Sequence, residues 1–235
     1  MSGAAATTVC CLKIPGRLHP LVAGWLQPLV TLPRASPASF SEASIVALGD
    51  GQALVLDAML GAATAVAVRA EALQMFEGGL LRRAGVGRSG VVLSQTRGDF
   101  ITWLDPSEAA PAIATVLALF AAIMQTLNES AYLGARTVET QLAIYAEGFG
   151  YARHRDALAG SSSRRATLIY YANPWLPGDG GELELDFEGE GGGDGRLIEP
   201  VYDRVVVFRS DRVEHAVREV RRGPRVAITG WLRAD

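Results

Sequence analysis

The chain has 235 residues, about half of them hydrophobic (49%), and a formal net charge of −3. That length suits one domain, or one domain with an extension, and the apolar content suffices for a sizeable core. The acidic balance excludes a chain-wide polycation that would coat nucleic acid, while leaving room for a local basic patch.

Residues 1–43 read as a leader. Residues 1–41 hold no Asp or Glu but do hold Lys13, Arg17, Arg34 and many Ala, Ser and Thr. This composition fits an organelle-targeting segment, a disordered leader or a Pro-rich flap, and it lacks the features of a secretory signal. Cys10 and Cys11 are adjacent and are the only cysteines. No disulfide framework exists, so a reducing compartment, cytoplasm or nucleus, is expected. An unpaired pair in a leader is the plain reading of these two; a metal or palmitoyl site is the alternative.

The folded domain is expected over 44–235. In 44–57 two apolar runs flank Gly49-Asp50-Gly51, which predicts the end of a short helix and then a strand. Residues 60–80 space Glu and Arg at helical intervals and predict a helix ending at Gly78-Gly79. A loop containing Gly and Arg follows, then Val91-Val92-Leu93 and the segment 97–103. A second long helix is expected at about 107–128. Its uncharged stretch 109–128 is the one membrane candidate, but Pro111, Gln125, Asn128 and many small Ala favour a core helix. Beyond Gln141 the pattern changes to short strands with Gly and Pro turns: 140–146, 150–156, 165–172, 181–187, 196–198, 204–209, 213–218 and 225–233. Many short strands after a helical half predict an α+β protein: a double-stranded β-helix, or jelly roll, with supporting N-terminal helices. The run from Gly189 to Gly195 lacks the alternating carboxylates of a calcium loop and reads as a solvated hairpin loop.

Three histidines occur, and His19 lies in the leader. His154 and Asp156 are two apart, so on a strand both point to one face. With the distant His215 they supply two imidazoles and a carboxylate, the set that holds three neighbouring positions of Fe(II) and leaves three open. In the last strand Arg225, Ala227, Thr229 and Trp231 share a face, with Val226 and Ile228 opposite. An Arg turned into a barrel is costly unless an anion meets it. A dicarboxylate co-substrate such as 2-oxoglutarate would supply that anion through a bidentate pair, and a protein carboxylate would serve equally. Ile169 and Tyr171 share a face of their strand. Either Tyr171 or Tyr145 fits a core position as well as a hydroxyl donor to the same anion.

The chain resembles the prolyl 4-hydroxylases of the hypoxia-inducible-factor (EGLN/PHD) type, within the 2-oxoglutarate and Fe(II) oxygenases. The resemblance rests on Arg97-Gly-Asp-Phe-Ile-Thr-Trp103, Gly150-Tyr-Ala-Arg-His-Arg-Asp156, Ile169-Tyr-Tyr-Ala-Asn173 and Gly180-Gly-Glu-Leu183. It continues through Ile198-Glu-Pro-Val-Tyr-Asp-Arg204, Phe208-Arg-Ser-Asp211, Val213-Glu-His-Ala-Val217 and Arg225-Val-Ala-Ile-Thr-Gly-Trp231. It runs from about Ser44 to Arg233, and the 97–103 element is specific to this branch. It implies Fe(II) on His154, Asp156 and His215, with Arg225 on the distal carboxylate of 2-oxoglutarate. Tyr171 and Thr229 match hydrogen-bonding helpers, Ile169 and Leu183 apolar pocket walls, and Tyr145 a pocket tyrosine. Arg164, Asp99 and Trp231 match positions near the substrate.

The implied reaction 4-hydroxylates a proline in a protein substrate while 2-oxoglutarate and O₂ become succinate and CO₂. L-Ascorbate is implied as a further cofactor and a hypoxia response as the setting; the chain is expected to act as a monomer, without nucleic acid or membrane. The loop before Arg97 is shorter than in the animal enzymes, and the chain stops soon after Trp231, which puts the animal transcription-factor substrate in doubt. A nucleic-acid demethylase would carry a second Arg where Trp231 stands, and a halogenase would lack Asp156. An oxygenase acting on another residue, or a peptide-binding jelly roll without turnover, completes the alternatives.

Overall fold

The computed structural model describes residues 40–85, 97–157, 163–187 and 196–235. Cys10–Cys11, the leader through residue 39, Val91–Leu93 and the Gly189–Gly195 loop lie outside the described residues. In chain order the elements are α1 (Glu42–Gly49), β1 (Leu54–Leu56), α2 (Ala62–Glu77), β2 (Arg82–Arg83), β3 (Asp99–Trp103), α3 (Pro111–Ala131) and β4 (Thr137–Tyr145). They continue as β5 (Tyr151–His154), β6 (Arg164–Tyr171), β7 (Leu183–Phe187), β8 (Arg196–Ile198), β9 (Arg204–Arg209), β10 (Val213–Val217) and β11 (Arg225–Arg233).

The strands form a seven-stranded sheet, β1-β9-β6-β11-β4-β3-β2, and a four-stranded sheet, β5-β10-β7-β8. Every pairing is antiparallel, as a jelly roll requires. Side-chain alternation in the large sheet explains how one layer serves two cores. Leu142, Ile144, Leu168, Tyr170, Val226 and Ile228 pack with the helices. Their neighbours Ile169, Tyr171, Val206, Phe208 and Ala227 face inward and pack with Leu183, Leu185 and Val213 of the small sheet.

The helices are tied down by carboxylates from other elements, which satisfy the exposed N–H groups of their first turns. Glu71 of α2 accepts from Ala112 N and Ile113 N, both at 2.9 Å, at the start of α3. Asp203, at φ +61°, accepts from Leu60 N at 2.8 Å and Gly61 N at 2.6 Å at the start of α2. Helix α3 is long and apolar enough to cross a membrane. Here its Ile113, Val116, Phe120, Ile123 and Leu127 are buried in the core between α2 and the sheet. The helix approaches the sheet closely at Gly230, where a Cβ would come within 2.5 Å of the Phe120 ring.

Three boundaries differ from expectation. The domain includes Phe40, buried in the helical core, and Ser41, whose hydroxyl caps α1 by accepting from Ser44 N at 3.2 Å. Helix α3 starts at Pro111 rather than near 107, because Asp105 forms a turn onto Ser107 and a residue before proline is driven to extended backbone. Strand β5 stops at His154, and Asp156 lies in the bend beyond it.

Candidate metal and co-substrate site

The two sheets enclose a cavity of about 480 Å³, within the range of small-molecule sites. His154, Asp156, His215, Arg225, Tyr145, Ile169, Leu183, Thr229, Arg164, Asp99 and Trp231 all line it. Of the residues expected at the site, Tyr171 alone does not; it lies beneath Arg225.

His154 and His215 face each other because β5 pairs with β10 in a register that sets the two opposite. Their rings are 4.2 Å apart and tilted by 52°. The bend after β5 brings in Asp156, whose Oδ1 lies 3.7 Å from His154 Nε2 and whose Oδ2 lies 3.6 Å from His215 Nε2. One ligand atom from each residue falls within 4.8 Å of the others, and this is the one such His/Asp cluster among the described residues.

The surroundings set the protonation that a metal needs. Burial, followed by the neighbouring His215, pushes the His154 imidazole down to about 4, so it is neutral near pH 7. Its Nδ1 lies 2.9 Å from the Ala152 carbonyl. A proton on Nδ1, donated to that carbonyl, leaves Nε2 with a lone pair toward Asp156 and His215. Burial opposes ionisation of Asp156, but His215, His154, Trp231 and Thr167 together hold its carboxyl below the usual range. A buried carboxylate flanked by two imidazoles suits a divalent cation.

Two residues missed in the sequence orient Asp156. Thr167 Oγ1 is 2.8 Å from Asp156 Oδ2 and 2.9 Å from Ser210 Oγ. An ionised carboxylate only accepts, so the single Thr167 proton goes to Asp156 and Ser210 must donate to Thr167. The chain therefore runs Ser210 to Thr167 to Asp156 and occupies Oδ2. The Ser210 carbonyl also receives Ala157 N at 3.1 Å, which pins the bend. The available signal was a threonine on the inward face of β6, in register with Ile169 and Tyr171.

Deeper in, Arg225 is 5% exposed. Its Nε donates to the Gly181 carbonyl at 2.7 Å, and no carboxylate pairs with it among the described residues. The guanidinium carbon lies 5.1 Å from the Tyr145 ring and 5.0 Å from the Tyr171 ring. Burial raises the pKa of both phenols, so each remains a hydroxyl donor. Among the described residues, the buried Tyr171 hydroxyl donates to no hydrogen-bond partner. A buried cation and an orphaned donor beside a cavity fit one carboxylate of a small dicarboxylic acid. Gly181, at φ +74°, makes room: a Cβ there would sit 2.9 Å from Arg225 Cδ.

At the mouth, Trp231 and Trp103 pack at 5.8 Å, and the Arg164 guanidinium stacks 3.9 Å over Trp231 while bonding Glu139 at 2.8 Å. Asp99 is 1% exposed, and both its oxygens are taken by Arg97, at 2.7 and 3.0 Å. Arg97 also donates to Gln141 at 3.0 Å, so Asp99 presents that guanidinium, not its own carboxylate, to the cavity.

Comparison with known proteins agrees with this geometry. Residues 140–233 match the model of the 2OG-Fe(II) oxygenase superfamily. Over 184 residues the chain is 31% identical to prolyl hydroxylase EGLN3 of Mus musculus, covering 75% of this chain and 76% of that protein. A solved prolyl-4-hydroxylase from Pseudomonas putida superimposes with a TM-score of 0.73 and 32% identity, covering 81% of this chain and 97% of that one. A prolyl hydroxylase from Trichoplax adhaerens, in complex with a hypoxia inducible factor oxygen degradation domain peptide fragment, superimposes with a TM-score of 0.70. It is 25% identical, over 81% of this chain and 87% of its own.

Proposed function

This chain belongs to the prolyl hydroxylases of the 2-oxoglutarate- and Fe(II)-dependent oxygenases, and on that premise we propose that it 4-hydroxylates a proline within a protein substrate. The observation that carries the reading is the meeting of His154, Asp156 and His215 in one cavity with a buried Arg225 that no described carboxylate neutralises.

In this reading His154, Asp156 and His215 would hold Fe(II), with the Asp156 carboxylate oriented by Thr167 at Oδ2. Arg225 clamps the far carboxylate of 2-oxoglutarate, with the Tyr171 hydroxyl as a second donor and Thr229 nearby. Iron, when bound, supplies the centre at which the keto acid and O₂ react. Ile169, Leu183 and Val217 line the cavity as apolar walls and limit water. Trp231, Arg164 and Trp103 frame the entrance for the proline-bearing segment. Overall, one oxygen atom of O₂ enters the proline as a C4 hydroxyl and the other enters succinate, with release of CO₂. Ascorbate serves to keep the iron reduced. An oxygen-sensing role follows if the rate tracks O₂ across the cellular range, which initial rates at controlled O₂ measure. The cysteine pattern supports a reducing compartment.

Succinate release from 2-oxoglutarate under air with Fe(II) tests the assignment. His154→Ala and Asp156→Ala should abolish it, and full turnover in either would overturn the metal site.

A further inference from the structure

The cavity is far more basic than the chain that builds it. The whole sequence has 25 acidic and 22 basic residues. The cavity lining, in contrast, holds Arg82, Arg97, Arg155, Arg164 and Arg225 against two carboxylates, Asp99 and Asp156. Most of these cations have partners. Arg97 is held by Asp99 at 2.7 Å, Arg155 lies 3.3 Å from Glu214, and Arg164 bonds Glu139 at 2.8 Å. Arg225 lies deep and is assigned to the co-substrate.

Arg82 is different. It is exposed, lines the cavity, and among the described residues has no side-chain hydrogen bond, ion pair or ring contact. Its orientation follows from strand register. Arg82 sits opposite Ile101 and Arg83 opposite Phe100. Opposite residues in an antiparallel pair share a face. Ile101 lines the cavity, so Arg82 lies on the cavity side. Arg83 takes the other face, where its guanidinium lies 5.0 Å from the Phe100 ring and 5.1 Å from the Phe149 ring. One of two adjacent arginines is thus used in packing, and the other is left over the cavity mouth. The sequence from Gly78 to Gly98 contains four arginines and no Asp or Glu, so that stretch brings no carboxylate to neutralise Arg82.

We infer that Arg82 makes this mouth selective for an acidic segment, pairing with an Asp or Glu side chain that flanks the target proline. The inference deepens the prolyl hydroxylase reading and rests on it. Position follows from the sheet. The row Arg82–Ile101–Ala143–Ala227 crosses three strand spacings, roughly 14 Å at about 4.8 Å each. At about 3.3 Å per extended residue, a segment laid along that row spans roughly four residues, so an acid a few positions from the proline is within reach of Arg82. A lysine or arginine in that place would meet an uncompensated like charge, which makes the selectivity partly repulsive.

The test uses the full chain with Fe(II), 2-oxoglutarate and ascorbate, and a library of nine-residue peptides with a central proline and randomised flanks. Mass spectrometry identifies the peptides that gain one oxygen. Asp and Glu should be enriched over Lys and Arg by about two- to fivefold at one or more positions, the range of an exposed ion pair. The enrichment should shrink as salt is raised. Arg82→Ala should remove it, and Arg82→Glu should reverse it toward Lys and Arg, with the KM for 2-oxoglutarate unchanged in both. Hydroxylation without any charge preference overturns the inference while sparing the enzyme assignment. Absence of hydroxyproline from every peptide, with the succinate assay also silent, overturns both. If the peptides show no preference and a single-stranded oligonucleotide inhibits at low salt, the basic rim serves a nucleic acid and the inference fails.

Discussion

Replacing Thr167 by Val removes one hydroxyl while keeping the shape of the side chain. That hydroxyl donates to Asp156 Oδ2 at 2.8 Å and accepts from Ser210 at 2.9 Å, and both Thr167 and Ser210 are fully buried. A hydrogen bond to a charged group contributes about 1.5–3 kcal/mol. It fixes the carboxylate in the orientation a metal requires, so much of that energy is expected to appear in metal affinity. At about 1.4 kcal/mol per factor of ten, Fe(II) or Mn(II) should bind roughly 10- to 150-fold more weakly. Anaerobic calorimetric titration of the full chain measures this directly, with the wild type and Thr167→Ser as references. Serine keeps the donor and should retain most of the affinity, although the lost methyl leaves a small cavity. Thr167→Val also strands the Ser210 hydroxyl, at a cost of about 1–3 kcal/mol in folding stability. Adding Ser210→Ala removes the stranded group and should restore part of the melting temperature without restoring metal binding. That separation distinguishes orientation of Asp156 from general damage to the core. Wild-type metal affinity in Thr167→Val would refute the directional chain from Ser210 to Asp156.

Arg225→Gln should raise the KM for 2-oxoglutarate by about ten- to a hundredfold, from loss of a charge-assisted bidentate pair; steady-state succinate release measures it, and an unchanged KM removes Arg225 from the co-substrate site. Gly181→Ala places a methyl 2.9 Å from Arg225 Cδ at φ +74°. The left-handed backbone alone costs about 1–2 kcal/mol, so the melting temperature should fall and the KM for 2-oxoglutarate should rise together. Gly230→Ala drives a methyl to 2.5 Å from the Phe120 ring, on the face of the sheet away from the cavity. Overpacking of about 1–3 kcal/mol should lower the melting temperature by several degrees, while the KM for 2-oxoglutarate stays at the wild-type value.

Which parts of this arrangement were legible in sequence follows from how far apart the cooperating residues lie. The alternation in β11 placed Arg225, Ala227, Thr229 and Trp231 on one face from nine consecutive residues, and all four line the cavity. The strands from β4 onward were also legible, because period-two patterning and Gly or Pro turns are local signals. His154 and Asp156 are expected from their spacing to share one face of a single strand. They meet in the cavity, yet β5 ends at His154 and Asp156 reaches the site through a bend held by Thr167 and Ser210. Those partners come from β6 and from the turn after β9, and no local pattern joins them to Asp156. The same distance hid the partner of Arg225. Its charge in an apolar strand demanded an anion, but only the assembled fold reveals that no described carboxylate reaches it. Helix ends were least legible where a distant group decides them, as when Glu71 supplies the cap that α3 lacks locally.

The central claim is that His154, Asp156, His215 and Arg225 form the working centre of a prolyl hydroxylase. The most direct measurement incubates the full chain under air with Fe(II), 2-oxoglutarate, ascorbate and proteins of a cell lysate, then maps added oxygen by mass spectrometry. The wild-type reaction should add one oxygen at proline, and Asp156→Ala should add none. Succinate formed without any hydroxyproline, oxygen added at another residue type, or equal hydroxylation by the Asp156 variant would contradict it.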